Sequence, residues 1–154
     1  MSTANASASK KRHALVTGGG TGIGIAIAKA LVEQGMIVSV VGRRLDVLQN
    51  LATTNPEHIF AAQADVSNQA QVQQAFAEAK ARFGNVEILI NNAGQAISAP
   101  FLKTDMALWQ QMLNVNLTGS MLTMQAALPD MQQAGWGRII NIASTAGQVG
   151  YAYV

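Results

Sequence analysis

The residues best placed for chemistry stand at the ends of apolar runs. The first group is "VTGGGTGIG", residues 16–24, which joins a short apolar run to a helical pattern with the spacing Gly18-x-x-x-Gly22-x-Gly24. A pyrophosphate must approach backbone amides at a helix N-terminus closely, and a Cβ there would obstruct it. The last glycine lets the helix pack tightly on the strand. No Lys-Ser/Thr pair follows, so the loop is not a P-loop. The competing reading is a glycine-rich turn that binds nothing. Its position after an apolar strand, opening a helix in the first βαβ unit, favours a dinucleotide site.

The end of the second apolar run bears on which dinucleotide. A fold that prefers NAD places Asp or Glu there, about 20 residues past the glycines, to bond the ribose 2′-hydroxyl. This sequence has Gly42-Arg43-Arg44, and Asp46 comes a turn late. Arginine presents planar donors that match a 2′-phosphate. Arg43 is therefore the candidate for that contact, and NADP(H) is favoured over NAD(H). The alternative is that both arginines are solvated residues at a helix start, where positive charge is slightly unfavourable for the helix dipole.

Composition excludes several other chemistries. Hydrophobic residues make up 49% of the 154-residue chain and charged residues 12%, about half the usual charged share. Such a composition suits buried sheet or surface hidden in an oligomer. The formal charge is only +2 and no basic stripe is present, so nucleic acid is not an expected partner. With no cysteine, disulfides, thiolate metal sites and thiol catalysis are excluded. His13 and His58 lie far apart, without the spacing of a zinc pair, and no metal is expected. No apolar run reaches the roughly 18 residues that span a membrane. The opening "MSTANASASKKRH" has no signal-peptide core and reads as a polar, flexible tail over 1–12, which makes the cytoplasm the expected location.

The elements that must position these residues follow from periodicity. "HALVT", "MIVSVVG", "HIFAAQAD", "VEILINNAG" and "GRIINIAS" read as strands, several of them apolar almost throughout, as strands covered on both faces are. Between the first two, Ile23, Ile27, Ala30 and Leu31 share a helical face that Gly35 closes. A short helix follows with Leu45, Leu48 and Leu51 inward. The next has a stripe of Val72, Ala75, Phe76, Ala79 and Phe83, with Ser67 as its expected cap. A long helical region over about 104–133 has Thr104 as a plausible cap. Leu108, Met112, Val115, Met121 and Met124 form its apolar face, and Pro129 is expected to kink or end it. Strands alternating with helices mean βαβ units, a parallel sheet and helices on both faces. The expected fold is α/β, a doubly wound, Rossmann-like parallel sheet of order 3-2-1-4-5 over residues 13–154.

These motifs, in this order, resemble the short-chain dehydrogenase/reductase family from about residue 12 to the end. Thr17-Gly18-x-x-x-Gly22-Ile23-Gly24 resembles its cofactor loop, and Asp65-Val66 the pair that contacts adenine. Asn91-Asn92-Ala93-Gly94 is similar to its "NNAG" motif. "NVNLTG" resembles the segment of its active-site asparagine, and "GRIINIAS" the strand leading to its active-site serine. The resemblance implies cofactor contacts at Gly18, Thr21, Gly22, Ile23, Gly24, Arg43, Asp65, Val66, Asn92, Ala93 and Gly94, and catalytic roles for Ser144 and Asn116. The expected reaction is hydride transfer between a nicotinamide and an alcohol or ketone, with reductases of 3-oxoacyl thioesters similar in frame. Plainer readings stand beside these. Asp65 could cap a turn, Asn92 could be a turn residue, Ser144 could simply end a strand, and Asn114 is the neighbouring choice for Asn116. The Met and Trp residues near 106–124 read as core or interface. Helices at this place in the family pair across a dimer interface, and an apolar face of Met121, Met124 and Leu128 suits a homo-oligomer.

The family's acid–base pair is Tyr-x-x-x-Lys, the lysine lowering the tyrosine's pKa. Tyr151 and Tyr153 stand too close to Ser144 for this role, and neither has a lysine at the required spacing. The expected tyrosine falls just beyond Val154. The sequence thus reads as the N-terminal portion of such an enzyme, with the C-terminal part of the fold missing. The alternative is a non-catalytic module that binds the dinucleotide or docks on a partner.

Overall fold

The strand β1, His13–Thr17, is buried at every residue, as a run without polar alternation requires of a strand covered on both faces. The computed structural model describes residues 11–150. After β1 come α1 (Gly22–Glu33), β2 (Ile37–Gly42), α2 (Leu45–Ala52), β3 (Ile59–Gln63), α3 (Gln69–Phe83) and β4 (Ile88–Asn91). Then follow α4 (Met106–Leu113), a π-helical turn (Asn114–Thr118), α5 (Gly119–Ala134) and β5 (Arg138–Asn141). The strands form one parallel sheet in the order β3-β2-β1-β4-β5, the expected Rossmann-like arrangement.

The pleat sorts the core into two layers. Leu15, Val41 and Leu89 point to the side covered by α3 and α5, where Val72, Phe76, Ala79, Leu122 and Met131 pack. Ala14, Val16, Val38, Val40, Ile88 and Ile90 point to the other, against Ala28 of α1 and Leu48 and Leu51 of α2. The buried His13 ring is satisfied between the Gly84 carbonyl and the Ser39 hydroxyl, each 2.8 Å away.

Several local expectations change. The cap of α3 is Asn68, whose side chain accepts from the Gln71 amide, because Ser67 is already committed to Asp65. Asp105, not Thr104, caps α4 by accepting from the Leu108 amide. Pro129 does not end α5. The helix runs on to Ala134, held to the core by Ala127 and Met131, and closes at Gly135 in the left-handed region. The inward line of α1 is Gly24 and Ala28; Ala30 is exposed, Ile27 and Leu31 are half-buried, and Ile23 is 64% exposed. The helix must bring backbone, not bulky side chains, against the loop that precedes it.

Arg12, at the edge of the expected tail, is tied to the fold. Its carbonyl accepts from the Ile37 amide at 3.0 Å, and its guanidinium meets Glu87 at 3.1 Å and stacks 3.5 Å from the Trp136 ring centre. Among the described residues no helix is long and apolar enough to cross a membrane, and no three metal-ligating side chains gather. Tyr151, Tyr153 and residues 1–10 of the tail lie outside the described residues.

Candidate functional site

The turn from β1 to α1 is shaped by close approach. Gly18 and Gly22 have φ of 64° and 52°, the left-handed region that glycine enters without a Cβ penalty. A Cβ on Gly18 would stand 3.0 Å from the Ala93 Cα. One on Gly24 would run into the Gly18 carbonyl oxygen and come within 2.8 Å of Asn92 Nδ2. Thr21, at the N-cap of α1, makes no side-chain bond to the first turn, and no acidic residue stands there. The positive end of α1 and its amides are therefore left for an anion.

The end of β4 is joined to this turn. The buried Thr17 hydroxyl accepts from the Asn92 and Ala93 amides at 3.1 and 3.0 Å. The Asn92 side-chain amide donates to the carbonyls of Thr17 (3.0 Å) and Gly18 (3.3 Å). Asn92 thus has a specific task beyond that of a turn residue.

A cleft of about 670 Å³ opens over the C-terminal ends of these strands. It is lined by Gly18, Thr21, Gly22, Ile23, Arg43, Asp65, Val66, Asn92, Ala93 and Gly94, together with Gly20, Arg44, Val47, Gln95 and Val115, which the sequence did not mark as cofactor contacts. Gly24 lies behind the cleft, buried against the loop. Arg43 is exposed on the rim, and among the described residues its guanidinium has no ion pair or hydrogen-bond partner. Across the rim, Asp65 Oδ1 accepts from the Ser67 amide (2.9 Å) and hydroxyl (2.7 Å). Partial burial raises the Asp65 pKa, but the two Ser67 bonds and then the Arg43 charge outweigh it and hold the carboxyl below its ordinary value. The capping role weighed for Asp65 is therefore present, alongside its place in the cleft.

Asn116 lies in the π-helical turn, the kind of local distortion that accounts for an asparagine inside a helix. Its side chain faces the loop after β4. Asn116 Oδ1 accepts from the Gln95 amide at 2.9 Å and Nδ2 donates to the Gln95 carbonyl at 2.8 Å, beside Gly94. Asn114 instead accepts from Gln110 on its own helix. Ser144 is exposed beyond β5 and outside the cleft lining. It caps the 3-10 turn Thr145–Gly147, its Oγ accepting from the Ala146 amide at 3.2 Å.

Three residues to which sequence reasoning assigned no task of their own hold the frame together. Thr17 is one. The others are Thr123, whose buried hydroxyl donates to Asn91 Oδ1 at 2.6 Å, and Asn141, whose Oδ1 accepts from Asn91 Nδ2 at 2.9 Å. This chain links α5, β4 and β5 just before Ser144. The only signal for it in the sequence is a polar residue ending an apolar strand.

The short chain dehydrogenase family model matches residues 12–154. An uncharacterized oxidoreductase of Staphylococcus aureus is 40% identical over 135 residues, covering 87% of this chain and 58% of that protein. An NADP-dependent 3-hydroxy acid dehydrogenase of Shigella flexneri is 38% identical over 139 residues, 90% of this chain and 56% of that protein. A crystal structure of an actinorhodin polyketide ketoreductase variant with NADPH superposes with a TM-score of 0.89 at 32% identity, covering 93% of this chain and 57% of that one. The chain therefore spans somewhat over half the length of these relatives.

Proposed function

Because the chain belongs to the short chain dehydrogenase family, a family of oxidoreductases, we propose that it binds NADP(H) in the cleft and serves oxidation or reduction at an alcohol or ketone carbon. The observation that carries this reading is the exposed Arg43 guanidinium, without a hydrogen bond or ion pair among the described residues, on the rim of a glycine-built cleft. Gly18 and Gly22 leave room for a pyrophosphate beside the α1 N-terminus, where helix amides and dipole favour its charge. Arg43 pairs with the 2′-phosphate, Asp65 and Val66 border the adenine, and Ala93 and Gly94 lie along the cofactor's length. When bound, the nicotinamide supplies or accepts the hydride.

Asn116 holds the Gly94–Gln95 backbone, and Ser144, whose Oγ accepts from the Ala146 amide, donates its hydroxyl hydrogen to the substrate oxygen. The proton step assigned by family resemblance to a Tyr-x-x-x-Lys pair is not carried by any such pair in these residues. A 3-hydroxy or 3-oxo acid or thioester is the substrate class we favour, supported by the names of the hydroxy acid dehydrogenase and the polyketide ketoreductase. Self-association of the whole protein is supported by Met121 and Leu128, 42% and 40% exposed along α5, whereas Met124 of the expected face is half-buried against the core.

A second reading, a dinucleotide-binding module without turnover, is favoured by the Ser144 hydroxyl serving its own turn. Titration with NADPH, followed by cofactor fluorescence alongside carbonyl reduction, separates the two. Turnover supports the enzyme and binding alone the module, while no binding at millimolar NADPH overturns both. Arg43→Ala is expected to weaken NADPH at least tenfold more than NADH, as loss of a charge-assisted pair implies; equal weakening overturns the NADP assignment.

A further inference from the structure

The ladder between β2 and β3 does not stop where the strands do. Gly42 pairs with Gln63 at the last register position, and the Gly42 carbonyl accepts from the Ala64 amide at 3.0 Å. One residue further on, the Arg43 carbonyl accepts from the side-chain amide of Gln63, Nε2 to O 2.8 Å. A side chain thus supplies the rung that the backbone of β3 no longer reaches. The next residue, Arg44, is the N-cap of α2 and makes no side-chain cap bond. The Gln63 bond is therefore the side-chain tie that holds this turn to β3. The opposite bank of the rim is tied in the same way, the Asp65 amide donating to Gln71 Oε1 at 2.8 Å and its carboxylate held by Ser67.

From this geometry we infer that Gln63 is a positioning residue for cofactor selectivity, setting the main chain of Arg43 so that its guanidinium stands over the cleft rim and opposite Asp65. The inference rests on the proposal that Arg43 meets the 2′-phosphate. Gln63 is itself exposed and absent from the cleft lining, so it acts through Arg43 and not by touching the cofactor. A neutral amide is well suited to this, because a carboxylate at position 63 would compete with the phosphate for the arginine, and a cation there would compete with the arginine for the phosphate and Asp65. Loss of one net hydrogen bond predicts the size of the effect: about three- to tenfold in the preference for the phosphorylated cofactor.

The test is direct binding of NADPH and NADH to the full chain carrying Gln63→Leu, which keeps bulk without a donor, and Gln63→Glu, which keeps shape but turns the donor into an acceptor. Both are expected to weaken NADPH about three- to tenfold with NADH unchanged, and the Glu variant to show the larger shift because its charge also draws on Arg43. Equal weakening of both cofactors, or no weakening of either, overturns the role. Circular dichroism of each variant identifies a general loss of folding, in which case the strand-end variant Gln63→Thr supplies the comparison on the same criteria. Arg43→Ala measured in parallel separates the two levels. If it leaves the NADPH:NADH ratio unchanged, the 2′-phosphate reading fails and this inference with it. If it changes the ratio and the Gln63 variants do not, only the role of Gln63 fails.

Discussion

Thr17 and Asn92 lock the ends of β1 and β4 to each other. The Thr17 hydroxyl accepts the Asn92 amide at 3.1 Å, and the Asn92 side chain returns a bond to the Thr17 carbonyl at 3.0 Å. The turn after β1 and the loop after β4 lie side by side and both line the cleft, so this pair fixes how the two lining segments sit against each other. Replacing Thr17 with Val preserves shape but removes the acceptor of two amides. A loss of about 1–3 kcal/mol in urea unfolding is expected, with Thr17→Ser retaining most of the stability. Indistinguishable unfolding midpoints for Val and wild type would contradict the pairing.

Gly24 is required by space. Gly24→Ala pushes a Cβ into the Gly18 carbonyl oxygen, and neither backbone can yield without moving α1 from the loop. The expected cost is about 1–3 kcal/mol, with dinucleotide binding weakened as well. Gly35→Asn is the control. Its φ of 83° is one asparagine tolerates, nothing stands within 4 Å of its Cβ position, and a change under about 1 kcal/mol is expected. Thermal unfolding of the two variants checks the contrast.

Asp65 gives the rim an acid-sensitive element. Burial raises its pKa, but the Ser67 bonds and the Arg43 charge bring it below 3.8 in the folded state. A carboxyl whose folded pKa is depressed binds its proton more readily when unfolded. Its stabilising contribution is therefore complete above the unfolded value near 3.8 and is lost as pH falls through the lower, folded value. Ser67→Ala removes the side-chain bond and should flatten the acid limb of the stability curve below pH 4. The carbon-13 shift of the Asp65 carboxyl, followed from pH 6 to pH 2, should titrate higher in the variant; an unchanged midpoint counts against the Ser67 bond.

Asn116 and Asn114 are separated by one measurement. Asn116→Ala removes both bonds to the Gln95 backbone. Hydrogen exchange at the Gln95 amide should quicken about fivefold, as expected for loss of a bond of roughly 1 kcal/mol. Asn114→Ala removes a bond to Gln110 alone and should leave that amide unchanged. Equal effects would mean that the π-helical turn, not the side chain, holds the loop.

Much of the cleft was readable as spacing. Gly18, Gly22, Arg43, Asp65 and Ala93 stand at the C-terminal ends of apolar runs, and a parallel sheet brings such ends to one edge. Caps were less readable. Ser67 and Asn68 are both competent, and the choice depends on Asp65 having engaged the serine first. Ile23 is apolar and in phase with Ile27, yet it faces the cleft because Gly24 must touch the loop.

What the sequence determined by itself is the alternation of strands and helices, and the glycine turn that no other residue type permits. These depend on local conformational limits and on side-chain periodicity, both properties of neighbouring residues. Only the tertiary structure decided which polar groups meet. Thr17 with Asn92, Thr123 with Asn91, Gln63 with Arg43 and Asn116 with Gln95 are joined across 20 to 75 positions of sequence. A hydrogen bond depends on distance and direction in space, which strand order and register set and no local pattern encodes.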